Sequence, residues 1–161
     1  MCSSDLTGPL QAMACWVLAN SGRAYDEATL TSHLHSKDAR HRGNVAYALR
    51  FLPRIRPATL SELEAAARVE PAGSEARVYL WGALAMHLPG NRRSAALNEL
   101  RQYLETGSPE ERFEAGFVIG LRGDLSDIAP LERRLDDQDT DTRIVAAQAI
   151  LFILGRAHER P

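Results

Sequence analysis

The chain has 161 residues, 25% charged and 45% apolar, with a net charge of −2, the composition of an ordinary folded domain with room for one continuous core. No run approaches the roughly 20 apolar residues a membrane-spanning helix needs, and the small net charge gives no reason to expect a nucleic-acid or membrane partner. Cys2 and Cys15 are too few and too near one end for a disulfide framework, so a cytoplasmic location is the default. Residues 1–7 lack the basic start and apolar stretch of a secretory signal. Cys2-Ser-Ser-Asp-Leu6 looks like a translated sequencing adapter, and 1–7 is read as a non-native or disordered leader. Helical spacing of apolar residues then predicts helices over 9–21, 26–36, 39–52, 60–69, 75–88, 93–106, 109–122, 127–136 and 140–155, and strict strand alternation is found nowhere. Residues 157–161 are left as a frayed tail, and 8–156 as one domain.

Start and stop signals support these segments. Ser108-Pro109-Glu110-Glu111 offers a capping serine, a proline at the first helical position and a glutamate at the third, which together satisfy otherwise unpaired N–H groups. Thr59-Leu-Ser-Glu62 predicts a second capping box, and Asp38, Ser74 and Asp139 suit the same role because their side-chain oxygens accept from first-turn amides. Pro53, Pro89-Gly90, Gly123 and Gly155 read as stops. Pro130 is tolerated because the first few N–H groups of a helix lack intrahelical acceptors.

Four of these helices share a pattern. Arg42, Arg77, Arg112 and Arg143 are each followed at +3, +4 and +7 by apolar or small residues, and they stand 35, 35 and 31 residues apart. Eight residues before each stands Leu34, Val69, Leu104 or Leu135. Self-similarity at this period predicts stacked helix pairs sharing an elongated core. The pattern resembles the short HEAT-like repeat of bacterial proteins, the bilin-lyase-like type, best in the segment Leu135 to Gly155 and next best in 108–123. Trp81 departs from it at a place where that family has a small residue. The resemblance implies an all-α superhelix, a solenoid of about four helix pairs plus a leading helix, with the second helix of each pair lining an inner face that binds partners.

Interior units of such an array bury apolar surface on both sides, so its ends need polar caps. Here the segment 9–21 carries Trp16, Val17 and Leu18, and Ile144 to Leu154 is apolar nearly all round. Leaving about 300 Å² of such surface wet forfeits about 7 kcal/mol, a large part of a natural stability of about 5–15 kcal/mol. The expectation is either a fragment of a longer chain or end-to-end self-association through these helices.

Chemistry-bearing motifs are sparse. The repeated arginines are read as structural, pairing with turn carbonyls or with Asp38, Glu75, Glu111 and Asp139. His33, His35 and His41 lack the converging third and fourth donors of a metal site and are read as surface residues. His158-Glu159 resembles the metal-binding pairs of the HEAT-repeat di-iron hydroxylase, but that enzyme needs several such pairs. A groove like that of the HEAT-like DNA glycosylases would be opposed by Glu75, Glu110, Glu111, Glu114, Asp139 and Asp141. No catalytic residue, cofactor or metal site is therefore expected. If +3, +4 and +7 face neighbouring helices, +2 and +5 approach the inner face, and Asn44, Tyr47, Tyr79, Glu114, Phe117 and Gln148 become the candidate contacts for a protein or peptide. The expected role is a non-catalytic interaction scaffold or regulatory protein. The alternative is the repeat region of a larger lyase- or hydroxylase-type enzyme whose catalytic groups lie elsewhere.

Overall fold

A computed structural model describes residues 9–21 and 26–159. The expected leader lies outside the described residues, as do residues 160 and 161 of the expected tail. The described chain is all-helical, without a strand. Its nine α-helices are α1 (Pro9–Asn20), α2 (Glu27–Ser32), α3 (Ala39–Arg50), α4 (Pro57–Val69), α5 (Ala76–His87), α6 (Gly90–Thr106), α7 (Pro109–Arg122), α8 (Ile128–Glu132) and α9 (Thr140–His158). No described helix is long and apolar enough to cross a membrane. The chain divides into two compact units, residues 1–87 and 88–161.

In the first unit α1 packs on α2 and α3, α2 on α4, α4 on α5, and α3 on α5. Leu30, Val45, Leu49, Leu63, Leu80 and Leu84 are fully buried there. Gly43 lets α5 close on α3: a Cβ at that position would stand 3.2 Å from Tyr79 Cδ2 and 3.4 Å from Ala76 Cα. In the second unit α6 packs on α7, and α9 packs on both α7 and α8. Its core holds Leu100, Leu104, Ile119, Leu131 and Ala146. The approach of α9 is closer still, because a Cβ on Gly120 would lie 2.8 Å from both Cα and Cβ of Ala149.

Helix starts follow the capping logic at four of five places. Ser108 forms the full capping box with Glu111. Asp38 accepts from Arg40 N, Ser74 from Ala76 N, and Asp139 from Thr142 N. Thr59 is the exception. Helix α4 starts earlier, with Pro57 in its first turn, and the Thr59 hydroxyl donates to the buried Glu27 carboxylate instead.

Other expectations are corrected by the structure. Segment 26–36 is a short α2 tightened into a 3₁₀ turn at His33–His35. Helix α8 likewise stops at Glu132, and i→i−3 bonds from Arg134 and Leu135 wind up the rest of the expected segment. Helix α6 begins at Gly90 rather than 93, with Gly90 at φ +52°, a backbone region that only glycine enters cheaply. Gly155 does not stop α9, which runs on to His158. A glycine costs a helix interior only about 1 kcal/mol, and Arg156 anchors the extra turn by donating to Gly120 O and Gly123 O. The apolar place eight residues before each arginine is buried at Leu34 and Leu104 but exposed at Val69 and Leu135. Beside those two exposed residues, Glu70 and Asp137 turn inward to meet arginines.

Candidate functional site

All four repeated arginines reach back to the turn before their own helix. Arg42 Nη1 donates to Ser36 O at 2.6 Å, Arg77 Nη1 to Glu70 O at 2.6 Å, Arg112 Nη1 to Gly107 O at 2.7 Å, and Arg143 Nη1 to Asp137 O at 2.8 Å. The expected carbonyl partners are therefore present, whereas the acidic partners are different residues. Arg42 forks onto Glu70 through Nε at 2.8 Å and Nη2 at 2.6 Å, and Arg112 Nη2 donates to Asp137 at 3.0 Å. Asp38 and Asp139 cap helices instead, Glu111 completes the capping box, and Glu75 meets exposed Arg40 at 3.7 Å. The Glu70 and Asp137 side chains are only 3% and 6% exposed. Each holds the preceding arginine by its carboxylate and the following one by its carbonyl, which makes a relay Arg42–Glu70–Arg77 in one unit and Arg112–Asp137–Arg143 in the other. The Arg42 guanidinium holds the Glu70 carboxyl below its ordinary range. Asp137 is lowered mainly by the Asp139 N–H, with Arg112 adding to it. These are structural ties between neighbouring helix pairs, and the acids lie 28 and 25 residues from their arginines, too far for local spacing to reveal.

The expected contact residues divide between the units. On α3, Asn44 and Tyr47 are exposed; on α5, Tyr79 is half-buried. Tyr47 and Tyr79 stand 6.3 Å apart, centroid to centroid. Two residues not anticipated complete the group. Phe51 meets Tyr47 edge-on at 4.9 Å, and the Arg50 guanidinium lies 4.5 Å and 4.7 Å from the Tyr47 and Phe51 centroids, within cation–π range. In the second unit Phe117 is half-buried and Gln148 exposed. Glu114 is only 8% exposed and lines a cavity of about 190 Å³ with Phe113, Glu110, Asp139 and Asp141.

Position +2 behaves differently from expectation on α5 and α9. Tyr79 lies over Gly43, and Val145 seats 3.1 Å from the place a Cβ on Gly116 would take. On those helices +2 faces the preceding odd-numbered helix rather than a free surface. Conversely, Ala147, at +4 on α9, is exposed. With it runs an apolar stripe of Ile144 and Leu151, 58% and 69% exposed, and Leu154. Helix α1 likewise exposes Leu10, Met13 and Val17, spaced to share one face.

The histidines are less superficial than expected. His41 is 5% exposed and its Nε2 lies 3.1 Å from His33 Nδ1. Burial and the His41 charge push His33 down. His35 meets Glu62 at 3.1 Å. Among the described residues, no three His, Cys, Asp or Glu converge as metal ligands would. A groove of about 330 Å³ between α2 and α4 is lined by Thr31, His35, Arg56, Thr59 and Glu62. Buried Glu27 accepts there from Arg56 N, Arg56 Nε and Thr59 Oγ1. Burial raises this carboxyl, but the hydrogen bonds outweigh it and hold it below its ordinary range. A carboxylate so fully engaged ties α2 to α4 and has little capacity left for a substrate.

Against this geometry, no protein-family model matches the chain, and neither does any curated protein.

Proposed function

We propose that the chain is a non-catalytic interaction scaffold or regulatory protein, built as an α-α superhelix of HEAT-like units and acting in the cytoplasm on a protein or peptide partner. The observation that carries the reading is the aromatic group on α3, where Tyr47 and Phe51 are 38% and 37% exposed around the Arg50 guanidinium. Aromatic and arginine side chains dominate binding energy at protein interfaces because they offer large area at low entropic cost. The arginine–carboxylate ties support it too, since Arg42–Glu70 in one unit and Arg112–Asp137 in the other each join one helix pair to the next. Tyr47→Ala and Phe117→Ala test the reading. Capture of a partner from the source cell should fall at least about tenfold in Tyr47→Ala while circular dichroism stays unchanged. Unaltered capture, or a stability loss that explains the whole effect, would reject it. A second reading has its own support: the exposed apolar stripe on α9 fits association of one copy with another through that helix.

A further inference from the structure

Three arginines of the second unit gather where α6 begins and where α7 and α9 end. A two-residue link, Gly107 and Ser108, folds α7 back along α6. Arg93, in the first turn of α6, is thereby brought beside Arg122, the last residue of α7. From α9, Arg156 donates to Gly120 O at 2.5 Å and Gly123 O at 3.0 Å, carbonyls on either side of Arg122. Arg93 Nε donates to Leu88 O at 2.8 Å. Arg122 itself is exposed and makes no hydrogen bond or ion pair with any described residue. Burial, and then the charges of Arg93 and Arg156, hold its guanidinium below its ordinary value.

Elsewhere in the same unit several arginines meet carboxylates directly. Arg101 forks onto Asp127, Arg112 meets Asp137, and Arg133 and Arg134 share Glu105. The start of α6 adds positive potential of its own, because no side chain caps it and its first turn holds no acid. Its free N–H groups and macrodipole are themselves attractive to an anion. At Gly90 the space a Cβ would occupy is open. Asp124 borders this region, but its carboxylate accepts the N–H and O–H of Ser126 and is drawn toward Arg101.

We propose that this end of the unit is a binding site for a small phosphate-class oxyanion, held by Arg122 with Arg93 and Arg156. A guanidinium fork matches phosphate oxygens in pairs; Arg122 supplies the fork, while Arg93 and Arg156, which already donate to backbone carbonyls, contribute mainly positive charge. A cavity of about 410 Å³, lined by Gly123, Asp124, Leu125, Ile153, Arg156 and Ala157, adjoins the site. That volume leaves space for a phosphate ester or diphosphate as well as the inorganic ion.

The whole chain would be titrated calorimetrically with inorganic phosphate and with pyrophosphate, at constant ionic strength set by chloride. Saturable binding is expected, with a rise in Tm, and tighter for pyrophosphate. Arg122→Ala should weaken it about tenfold or more. Arg54→Ala, which removes an exposed charge in the other unit, should change it less than about twofold. Arg122→Ala is expected to fold, since nothing described depends on that side chain; should it not, Arg93→Gln carries the same expectation. Absence of saturable binding at millimolar anion, or equal losses in Arg122→Ala and Arg54→Ala, would overturn the site.

Discussion

The α3–α5 and α7–α9 contacts solve one packing problem in different ways. Both join helices that carry the same arginine pattern, and both are braced by a buried carboxylate. In the first unit the approach is closest at the start of α3, where Gly43 receives Tyr79 and Ala76. Further along, at +8, stands the bulky and buried Arg50, covered by its own aromatic neighbours. In the second unit +8 is Gly120, where backbone meets Ala149 directly. A side-chain filler can shift when crowded, whereas a backbone contact cannot. The first unit thus spends its contact on aromatic side chains that remain partly exposed for other uses. The second has glycine at the corresponding place.

Among the groups that brace these two contacts, the largest expected loss comes from the acid relay. Removing Glu70 strands a nearly buried arginine, so Glu70→Ala should cost about 3 kcal/mol. Asp137→Ala, where Arg112 contributes a single hydrogen bond, should cost about 2 kcal/mol. Urea unfolding of both variants would measure the contrast, and equal small losses would dissolve it. Acid sharpens the test. Because the folded Glu70 carboxyl lies below its ordinary value of 4.5, its contribution is present above that pH and lost as pH falls through the folded value. The stability gap between wild type and Glu70→Gln should therefore close below about pH 4.5, and a gap that is constant with pH would count against the pairing.

Next come the two glycines. Gly120→Ala must push Ala149 backbone away, and even after the helix-propensity gain of about 1 kcal/mol it should lose about 2 kcal/mol. Gly43→Ala meets mainly the edge of the Tyr79 ring, so gain and crowding should nearly cancel, within about 1 kcal/mol. Thermal melts of the pair decide whether the units differ as described, and a reversed order would refute the comparison.

Much of this could be read before any coordinates, for physical reasons that differ by residue. Caps such as Ser108, Asp38, Ser74 and Asp139 act within three residues, and local spacing reveals them. Thr59 misleads because α4 already starts at Pro57, and its hydroxyl donates to the Glu27 carboxylate, 32 residues away, instead of accepting from first-turn amides. Glu70 and Asp137 were invisible for a related cause. A pairing between neighbouring helix pairs leaves no local trace, and the nearer acids Glu75 and Asp139 looked better placed. The aromatic group was half legible: Tyr47 and Tyr79 follow from position relative to their arginines, whereas Arg50 and Phe51 join as the three- and four-residue neighbours of Tyr47 on its own helical face, which the arginine pattern does not mark. Arg122 carries no local signal, since what marks it is the approach of Arg93 and Arg156 from other helices.

The smallest stability effect should fall on the outer face of α9, and it separates that face from the covered one. Counted from their arginines, Phe113, Gly116, Phe117 and Gly120 on α7 occupy the same places as Ile144, Ala147, Gln148 and Leu151 on α9. On α7 the two glycines receive Val145 and Ala149, while Leu151 on α9 is 69% exposed. Leu151→Glu should therefore change unfolding free energy by less than about 0.5 kcal/mol. Two residues on, Ile153 is 2% exposed, and Ile153→Glu, which buries an unpaired charge, should cost about 4 kcal/mol or more. Sedimentation equilibrium adds the informative part. If copies associate through this stripe, wild type should form larger species with rising concentration, and Leu151→Glu should abolish them at unchanged stability. Assembly that survives the glutamate would move the contact off α9, to another apolar surface such as Leu10, Met13 and Val17 of α1.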